Sequence, residues 1–227
     1  VVNLTLEPIA AINVAIPENL RLLNLALVDV GAGTSDIAIS KEGAIIGYGM
    51  IPIAGDEITE QIVHRYLVDF QSAEKIKYEI GKEKDISFLD ILGLPHTVSS
   101  EEILENLQPI IDHLAEEIAT KIYEVNGNKS PNAVFCVGGG SQIIDLTEKI
   151  AQKLGIPKER VAVRGGNSLI NVVYECEALE TPDVITPIGI CVTSIMQRGY
   201  DFIEVSVNKE PVKLLNTKKL TVTDAGM

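Results

Sequence analysis

The chain has 227 residues, 46% of them hydrophobic, and a formal net charge of -13 at pH 7. This length allows a sizeable buried core, arranged as one domain or as two lobes. The acidic balance argues against nucleic acid as a partner, since affinity for phosphate backbones comes largely from clustered lysine and arginine. No apolar run approaches the roughly 18 residues of a membrane span, and three widely spaced cysteines predict neither a disulfide framework nor a zinc site.

The N-terminal part of the chain is predicted to form a β-meander followed by helices. Short β-prone runs occupy residues 25–30 and 36–40 around a glycine-rich turn, and a third run, AIIGYG, follows residues 41–43. Apolar residues then recur at helical spacing, which predicts an amphipathic helix over residues 56–70. A second short, charged helix is predicted over residues 72–81.

The middle of the chain combines an irregular connection with a long helix. Residues 82–97 (KEKDISFLDILGLPHT) show no clear periodicity and are predicted to join two lobes or to lie in a small inserted subdomain. Ser99 and Glu102 have the spacing of a capping box, and a long helix is predicted from Ser99 to about Asn126.

The remaining sequence predicts a second unit of strand, glycine turn and helix. A buried strand, AVFCV (133–137), leads through three glycines into a helix from about 142 to 154, closed by Gly155. A strand, RVAVRG, and a final helix packed on the sheet, ITPIGICVTS, follow. From about residue 200, short strands with polar turns predict an appended module or an edge hairpin.

A candidate phosphate loop lies in the segment DVGAGTSD, residues 29–36. Gly31 and Gly33 lack a Cβ atom and tolerate positive φ, so the backbone amides around Ala32 can converge on a phosphate. The Thr34 hydroxyl adds a donor. The loop is not a Walker A motif, because the sequence G-K-[ST] is missing.

Two aspartates flank this loop. Asp29 leaves the end of a buried strand and is placed to hold the hydration shell of Mg²⁺, which keeps several waters and takes few protein carboxylates. Asp36 can assist from the next strand. The alternative interpretation is an ordinary glycine-rich hairpin with two capping aspartates.

Two further segments are candidates for binding a nucleoside. Glu74 and Lys77, in AEKIKYEIG, lie three residues apart on one helix face, where they can bond ribose hydroxyls and border a base; the alternative is a solvated helix face. Gly138, Gly139 and Gly140, followed by Ser141, form a turn before a helix, and glycine permits the close backbone approach that a planar base requires.

In this order the motifs resemble the actin-like ATPase superfamily, which includes actin, DnaK-type chaperones, MreB and FtsA, and the resemblance is nearest to the bacterial division protein FtsA. DVGAGTSD resembles the second phosphate motif, AEKIKYEIG the ribose segment of FtsA and MreB, and VGGGS the adenosine motif. Gly55, in IAGDEIT, resembles the glycine that approaches the γ-phosphate, and Pro187-Ile188-Gly189 the small-residue helix that closes the lobe.

A glutamate near the N-terminus resembles DnaK-type chaperones, since a glutamine often stands at this place in FtsA-like and actin-like members. The segment LEPIAA, residues 6–11, resembles the helix that opens the second half of DnaK-type chaperones, where the equivalent of Glu7 orients metal-bound water near the γ-phosphate. Glu7 and Asp29 are therefore the candidate catalytic residues. A simple Glu-Pro helix start with apolar packing is the alternative for this segment.

The resemblance implies an α/β fold of the actin-like, ribonuclease H-like type, with a mixed sheet flanked by helices, a small helical insertion at about 80–125 and a β-rich C-terminal extension. Residues 1–195 would form the second lobe of the ATPase domain, and residues 196–227 the extension or the start of a further module. ATP and Mg²⁺ are the implied cofactors. Asp29 and Asp36 would hold the metal through water.

The first phosphate motif of the superfamily, D-x-G-[TS], does not precede Glu7 in this sequence. We therefore expect the missing N-terminal half of the same protein to supply the other side of the site, and this chain alone to be inactive even if the parent is a Mg-ATPase. Self-association, or a division, pilus or chaperone protein, is the expected partner. The expected location is the cytoplasm, with membrane association through the parent or its partners.

The predicted function is that of the ATP-binding lobe of an FtsA-like division or cytoskeletal protein, whose nucleotide state controls assembly and partner binding. The alternatives are a DnaK-like chaperone or reactivating ATPase, a PilM-like protein of type IV pili, and a pseudo-ATPase that binds partners without hydrolysis.

Overall fold

The computed structural model describes residues 6–17, 19–169, 172–173, 180–196, 202–207 and 210–215. The strands are β1 (Leu25–Val30), β2 (Ser35–Lys41), β3 (Ala44–Ile51), β4 (Asp85–Leu89), β5 (Pro95–Ser99), β6 (Ala133–Val137), β7 (Val161–Val163), β8 (Phe202–Val207) and β9 (Glu210–Leu215). The helices are α1 (Glu7–Ala15), α2 (Gly55–Tyr66), α3 (Phe70–Glu79), α4 (Ser100–Val125), α5 (Leu146–Leu154) and α6 (Ile185–Met196).

A five-stranded mixed sheet organises these elements, in the order β3-β2-β1-β6-β7. The predicted meander is present, since β1 pairs antiparallel with β2 and β2 with β3. β6 then pairs parallel with β1 on its other side, and β7 parallel with β6. The central strand β1 is therefore antiparallel to one neighbour and parallel to the other, and the predicted α/β fold is confirmed.

Helices cover both faces of this sheet. Alternate residues of β1 point to opposite faces, so the strand contributes side chains to a core on each side. Ala26, Val28 and Val30 join one core with buried residues of α2, α4 and α5. Leu25 and Leu27 join a second core with α1 and with Ile185 of α6.

On the second face α6 packs closely against α1. A Cβ atom at Gly189 would collide with the backbone carbonyl of Ala10, so only glycine allows the two helices to approach this closely. The predicted final helix is confirmed, and its packing partners include α1.

The long helix α4 begins and ends where the sequence predicts. The side chain of its N-cap, Ser99, accepts a hydrogen bond from the backbone N–H of Glu102 at 3.2 Å. The helix contains Pro109 and ends at Val125. Its buried residues, which include Leu107, Ile111, Ile118 and Ile122, belong to the same core as the sheet.

The connection predicted as irregular is instead a β-hairpin. β4 and β5 pair antiparallel, and Phe88 lies between Tyr66, which it meets edge to face, and His96, on which it stacks. The segment that joins the two strands exposes apolar side chains, which hides the strand pattern: Ile91, Leu92 and Leu94. The region of the predicted insertion, at about 80–125, therefore contains this hairpin as well as the helix α4.

The C-terminal part also follows the predicted pattern in outline. α5 begins at Leu146, after a short 3₁₀ turn over Gly139–Gln142, and closes at Gly155 with φ of 63°. β8 and β9 form an antiparallel pair. Among the described residues no helix has the length and apolarity needed to cross a bilayer. The division of the chain at residue 195 and the bounds of the insertion stay predictions.

Candidate functional site

The candidate phosphate loop and the glycine turn meet at one edge of the sheet. Because β1 and β6 are parallel, their carboxyl ends lie side by side, and Asp29 pairs in register with Val137. The residues that follow each strand are consequently neighbours. In open α/β sheets this edge is the usual place for a ligand.

The glycine turn fits against the end of β1 only because side chains are absent. Gly138 has φ of +81°, and a Cβ atom there would collide with the Asp29 carboxylate and the Val30 carbonyl. A Cβ atom at Gly140 would collide with the Val30 side chain and approach the Gly31 carbonyl oxygen to 3.0 Å. Gly139, by contrast, has room for a side chain. Ser141 is buried and its hydroxyl donates to the Gly138 carbonyl at 2.7 Å, which stabilises the turn.

The phosphate loop is also fixed to the start of α2. The Gly31 amide donates to the Thr34 carbonyl at 3.0 Å, which closes the turn. The Gly55 amide donates to the Gly31 carbonyl at 3.1 Å, and the Asp56 amide to the Ala32 carbonyl at 2.8 Å. The first residues of α2 are therefore held against the loop, as the motif order predicts.

Glu74 and Lys77 belong to a bonded network rather than to a solvated helix face. The Lys77 ammonium donates to the Glu74 carboxylate at 2.5 Å, to the Thr59 hydroxyl at 2.7 Å and to the Gly55 carbonyl at 3.2 Å. The buried Thr59 hydroxyl in turn contacts the Glu74 carboxylate. The network joins α3 to the first turns of α2.

This network keeps Glu74 ionised. Partial burial would raise the pKa of its carboxyl, but hydrogen bonds from Lys77 and Thr59 and the Lys77 charge outweigh that effect, and the pKa lies below its usual value. A carboxylate and an ammonium are therefore held together beside the start of α2.

Three carboxylates gather at the end of β1 on the face that α1 and α6 cover. Asp29 and Asp36 are direct partners in the antiparallel register, and Glu7 begins α1. Burial, followed by the charge of Glu7, raises the pKa of Asp29 against a lowering hydrogen bond from the Thr186 hydroxyl. Burial and the charges of Asp29 and Glu7 raise the pKa of Asp36. These three carboxylates are not arranged as direct metal ligands, so a hard cation at this point would be held through water.

A cavity of about 660 Å³ opens beside this edge, a volume typical of small-molecule sites. Its lining includes these predicted site residues: Asp29, Gly31, Ala32, Gly55, Glu74, Lys77, Gly138, Gly139 and Gly140. Other predicted residues lie outside its lining: Glu7, Gly33, Thr34, Asp36 and Ser141. Gly33 and Thr34 form the exposed tip of the loop. The binding roles of all these residues stay predictions.

The sequence interpretation missed several residues of the cavity wall. An apolar side comes from α2, α4, the residue that follows α3 and the segment before α5: Ile58, Ile80, Leu104, Leu107, Ile111, Ile143 and Ile144. Tyr78 and Lys82 also line the cavity, and the Lys82 ammonium lies 2.9 Å from the centre of the Tyr78 ring. Tyr78 and Gly81 belong to the AEKIKYEIG motif, whose helical spacing was the available signal. The α4 residues carried no local signal.

His96 and Cys136 lie outside the lining of this cavity. His96 pairs with Asp90 at 2.9 Å in the hairpin. Cys136 is fully buried in β6, and burial raises the pKa of its thiol to about 12, so it is unreactive at neutral pH. Within the described ranges, no group of three or more His, Cys, Asp or Glu side chains is arranged to hold a metal. Cys176 lies outside the described residues.

Comparison with protein families identifies a match over most of the sheet and its helices. The model of the family described as "Cell division protein FtsA" matches residues 26–189. FtsA of Pseudomonas aeruginosa is 30% identical over 192 residues, which cover 76% of this chain and 45% of that protein. FtsA of Bacillus subtilis is 22% identical over 164 residues, 67% of this chain and 37% of that protein.

Cell-shape proteins and solved structures extend the likeness. MreB of Escherichia coli is 26% identical over 173 residues, 66% of this chain and 50% of that protein. The PilM-PilN type IV pilus biogenesis complex superposes with a TM-score of 0.66 at 17% identity, covering 86% of this chain and 53% of that one. MreB5 of Spiroplasma citri bound to AMPPNP gives 0.56 at 22% identity, over 84% and 58%.

The chain spans about half the length of the curated relatives it matches. The solved structures share its fold, a mixed sheet between helices, at identities too low to carry more than the fold. The family match covers far more than half of the chain, from the first strand of the sheet to α6. The chain therefore belongs to the cell division protein FtsA family and has an actin-like ATPase fold.

Proposed function

We propose that this chain is the ATP-binding lobe of an FtsA-like division protein, in which nucleotide state controls assembly and partner binding. The observation that carries the proposal is the convergence of four separate segments on one cavity. They are the loop after β1, the start of α2, the Glu74–Lys77 face of α3 and the glycine turn after β6.

The loop after β1 and the start of α2 would hold the phosphates. Gly31 and Gly55 bring their backbones to the cavity wall, and Gly55 lies close enough to Gly31 for a hydrogen bond between them. Because the Gly31 and Gly55 amides already donate to carbonyls of the fold, the phosphates would contact the backbone amides around Ala32, without a lysine of the P-loop type.

The opposite side of the cavity would hold the nucleoside. The Glu74 carboxylate, positioned by Lys77, can accept hydrogen bonds from ribose hydroxyls, and Gly139 leaves its side of the turn open. The apolar wall, which includes Leu104, Leu107 and Ile143, lies next to these groups and suits a planar base.

The carboxylates of Asp29 and Asp36 would hold a magnesium ion through water at the end of β1. Asp29 lines the cavity, and Asp36 lies next to Asp29. The pKa of each carboxyl is raised, because burial and neighbouring negative charge disfavour its ionised form. A bound Mg²⁺ would supply charge neutralisation for the phosphates and would hold water near them. Glu7 is exposed at the start of α1 and would orient water at this side.

Relatives with the same fold support a nucleotide as the ligand. MreB5 of Spiroplasma citri has been solved bound to AMPPNP and to ADP. Membership of a cell division family favours the division role over that of a DnaK-like chaperone. The likeness to the PilM-PilN complex keeps a pilus-type partner as the second candidate for what the lobe binds.

The test is a nuclear magnetic resonance titration of the chain with Mg-ATP, a method that detects weak binding. We expect the amide resonances of Gly31, Gly55, Lys77 and Gly138 to shift together and to saturate. Lys77→Met should weaken binding by at least about tenfold, because Glu74 loses the charge-assisted hydrogen bond that positions its carboxylate.

Lys75→Met provides the matched control. Lys75 lies on the same helix, is largely exposed and pairs only loosely with Glu79, at 3.9 Å, so its removal should leave the titration unchanged. Shifts that avoid the cavity, or equal losses in both variants, would reject the proposed site. Control of assembly by nucleotide is tested separately, by electron microscopy of the full-length protein with ATP and with ADP.

A further inference from the structure

We propose that Thr186 is a positioning residue that fixes the Asp29 carboxylate for the metal-bound phosphates. The inference rests on the proposed nucleotide site, because Asp29 matters in this way only if a metal-nucleotide complex binds there. Thr186 lies 157 residues from Asp29 in the sequence, and no motif of the chain points to it.

The Asp29 carboxylate is held between two segments. On one side the Thr186 hydroxyl donates a hydrogen bond to its Oδ2 atom. On the other side, Gly138 lies so close that a Cβ atom would collide with Oδ1. Asp29 is also the residue of β1 that lines the cavity. One oxygen of the carboxylate is bonded to Thr186 and the other lies beside the glycine turn, so the carboxylate is restrained from both sides.

Thr186 is itself fixed relative to α1. It lies in the first turn of α6, and one turn later Gly189 packs directly on the Ala10 backbone of α1. Further along α6, the buried Thr193 hydroxyl accepts a hydrogen bond from the Asn13 side chain at 3.3 Å. α6 therefore joins the strand that carries Asp29 to the helix that begins with Glu7.

Two threonine hydroxyls of α6 therefore make different contacts. Thr193 joins α6 to α1, whereas Thr186 joins α6 to the carboxylate at the cavity. Residues that hydrogen-bond a metal-holding carboxylate typically change metal affinity by about 10- to 100-fold when removed. Because Asp29 is expected to act through water, we expect a loss near the lower end, about tenfold.

The experiment measures ATP binding by Thr186→Val with saturating Mg²⁺ and with the metal removed by a chelator, again by resonance titration of the chain. Valine keeps the shape of threonine without the hydroxyl, so the helix is retained. We expect about tenfold weaker binding of Mg-ATP and unchanged binding of metal-free ATP. Thr186→Ser, which restores the hydroxyl, should recover the wild-type affinity for Mg-ATP.

Thr193→Val is the matched control, since it removes a hydroxyl from the same helix without touching Asp29. Equal loss of Mg-ATP binding in both valine variants, or a loss that persists without metal, would overturn the positioning role and leave the nucleotide site intact. If Thr186→Val unfolds, Thr186→Ala is tested in its place against the serine variant. Absence of any ATP-dependent shift in the wild-type chain would reject the proposed function itself.

Discussion

The glycine turn after β6 allows two neighbouring glycines to be compared directly. Gly138→Ala would place a Cβ atom against the Asp29 carboxylate at a φ of +81°, so we expect a loss of about 1–3 kcal/mol of unfolding free energy and weaker ATP binding. Gly139→Ala is the control, because the nearest atom to its Cβ would be the Asp183 Cβ at 3.9 Å. Chemical denaturation of both variants measures the difference, and equal stability would contradict the described turn.

The charge pair of Glu74 and Lys77 beside α2 is expected to make the free energy of unfolding depend on pH. The pKa of Glu74 is lowered from its usual 4.5, so the folded chain binds fewer protons than the unfolded chain at acidic pH. The stabilisation from Glu74 is therefore complete above pH 4.5 and is lost as the pH falls through the lowered pKa. Because 44% of the side chain is exposed, solvent screening keeps the effect small.

Comparison of Glu74→Gln with the wild type isolates this contribution. We expect the difference in unfolding free energy to be largest at neutral pH and to shrink below pH 4.5. Glu60→Gln, an exposed position on α2, should leave the pH profile unchanged. A difference that stays constant with pH would show that Glu74 does not stabilise the fold through its charge.

At the level of the elements, α4 carries an unusual residue. Pro109 lies inside the helix and is exposed, so its ring contributes little packing while its nitrogen offers no hydrogen bond to the preceding turn. We expect Pro109→Ala to raise the free energy of unfolding by about 1–3 kcal/mol. His113→Ala, one turn later and also exposed, should have a much smaller effect. If Pro109→Ala were less stable than the wild type, the fold would require the helix geometry that Pro109 imposes.

Elements with strong local signals could be predicted from the sequence, and those without them could not. Gly43, Ser99 and Gly155 mark turns or helix ends, and the structure confirms the elements that they bound. The hairpin of β4 and β5 was missed because its connecting segment exposes Leu92 and its neighbours. Only two short strands alternate there, a pattern too brief to distinguish from a loop.

At the level of the whole molecule, the sequence predicts the fold and the segments of the site but not how they are joined. Sequence motifs identify the loop at residues 29–36 and the turn at 138–141. The parallel pairing of β1 and β6 then makes these two segments neighbours. The contacts of Thr59 and Thr186 depend on tertiary packing, since each touches a residue distant in the chain. A threonine in a helix carries no local sign of such a role.

The final prediction concerns how much of the site this chain supplies. The phosphate contacts proposed above come from the loop after β1 and the start of α2, and the chain spans about half the length of the curated relatives it matches. We therefore expect titration calorimetry of the chain with Mg-ATP to give weak or undetectable heat, even where magnetic resonance detects binding. Full-length protein should bind tightly, because phosphates contacted from two sides replace more of their hydrogen bonds to water with hydrogen bonds to protein. Tight binding by the chain alone, abolished by Lys77→Met, would mean that this lobe is a complete site.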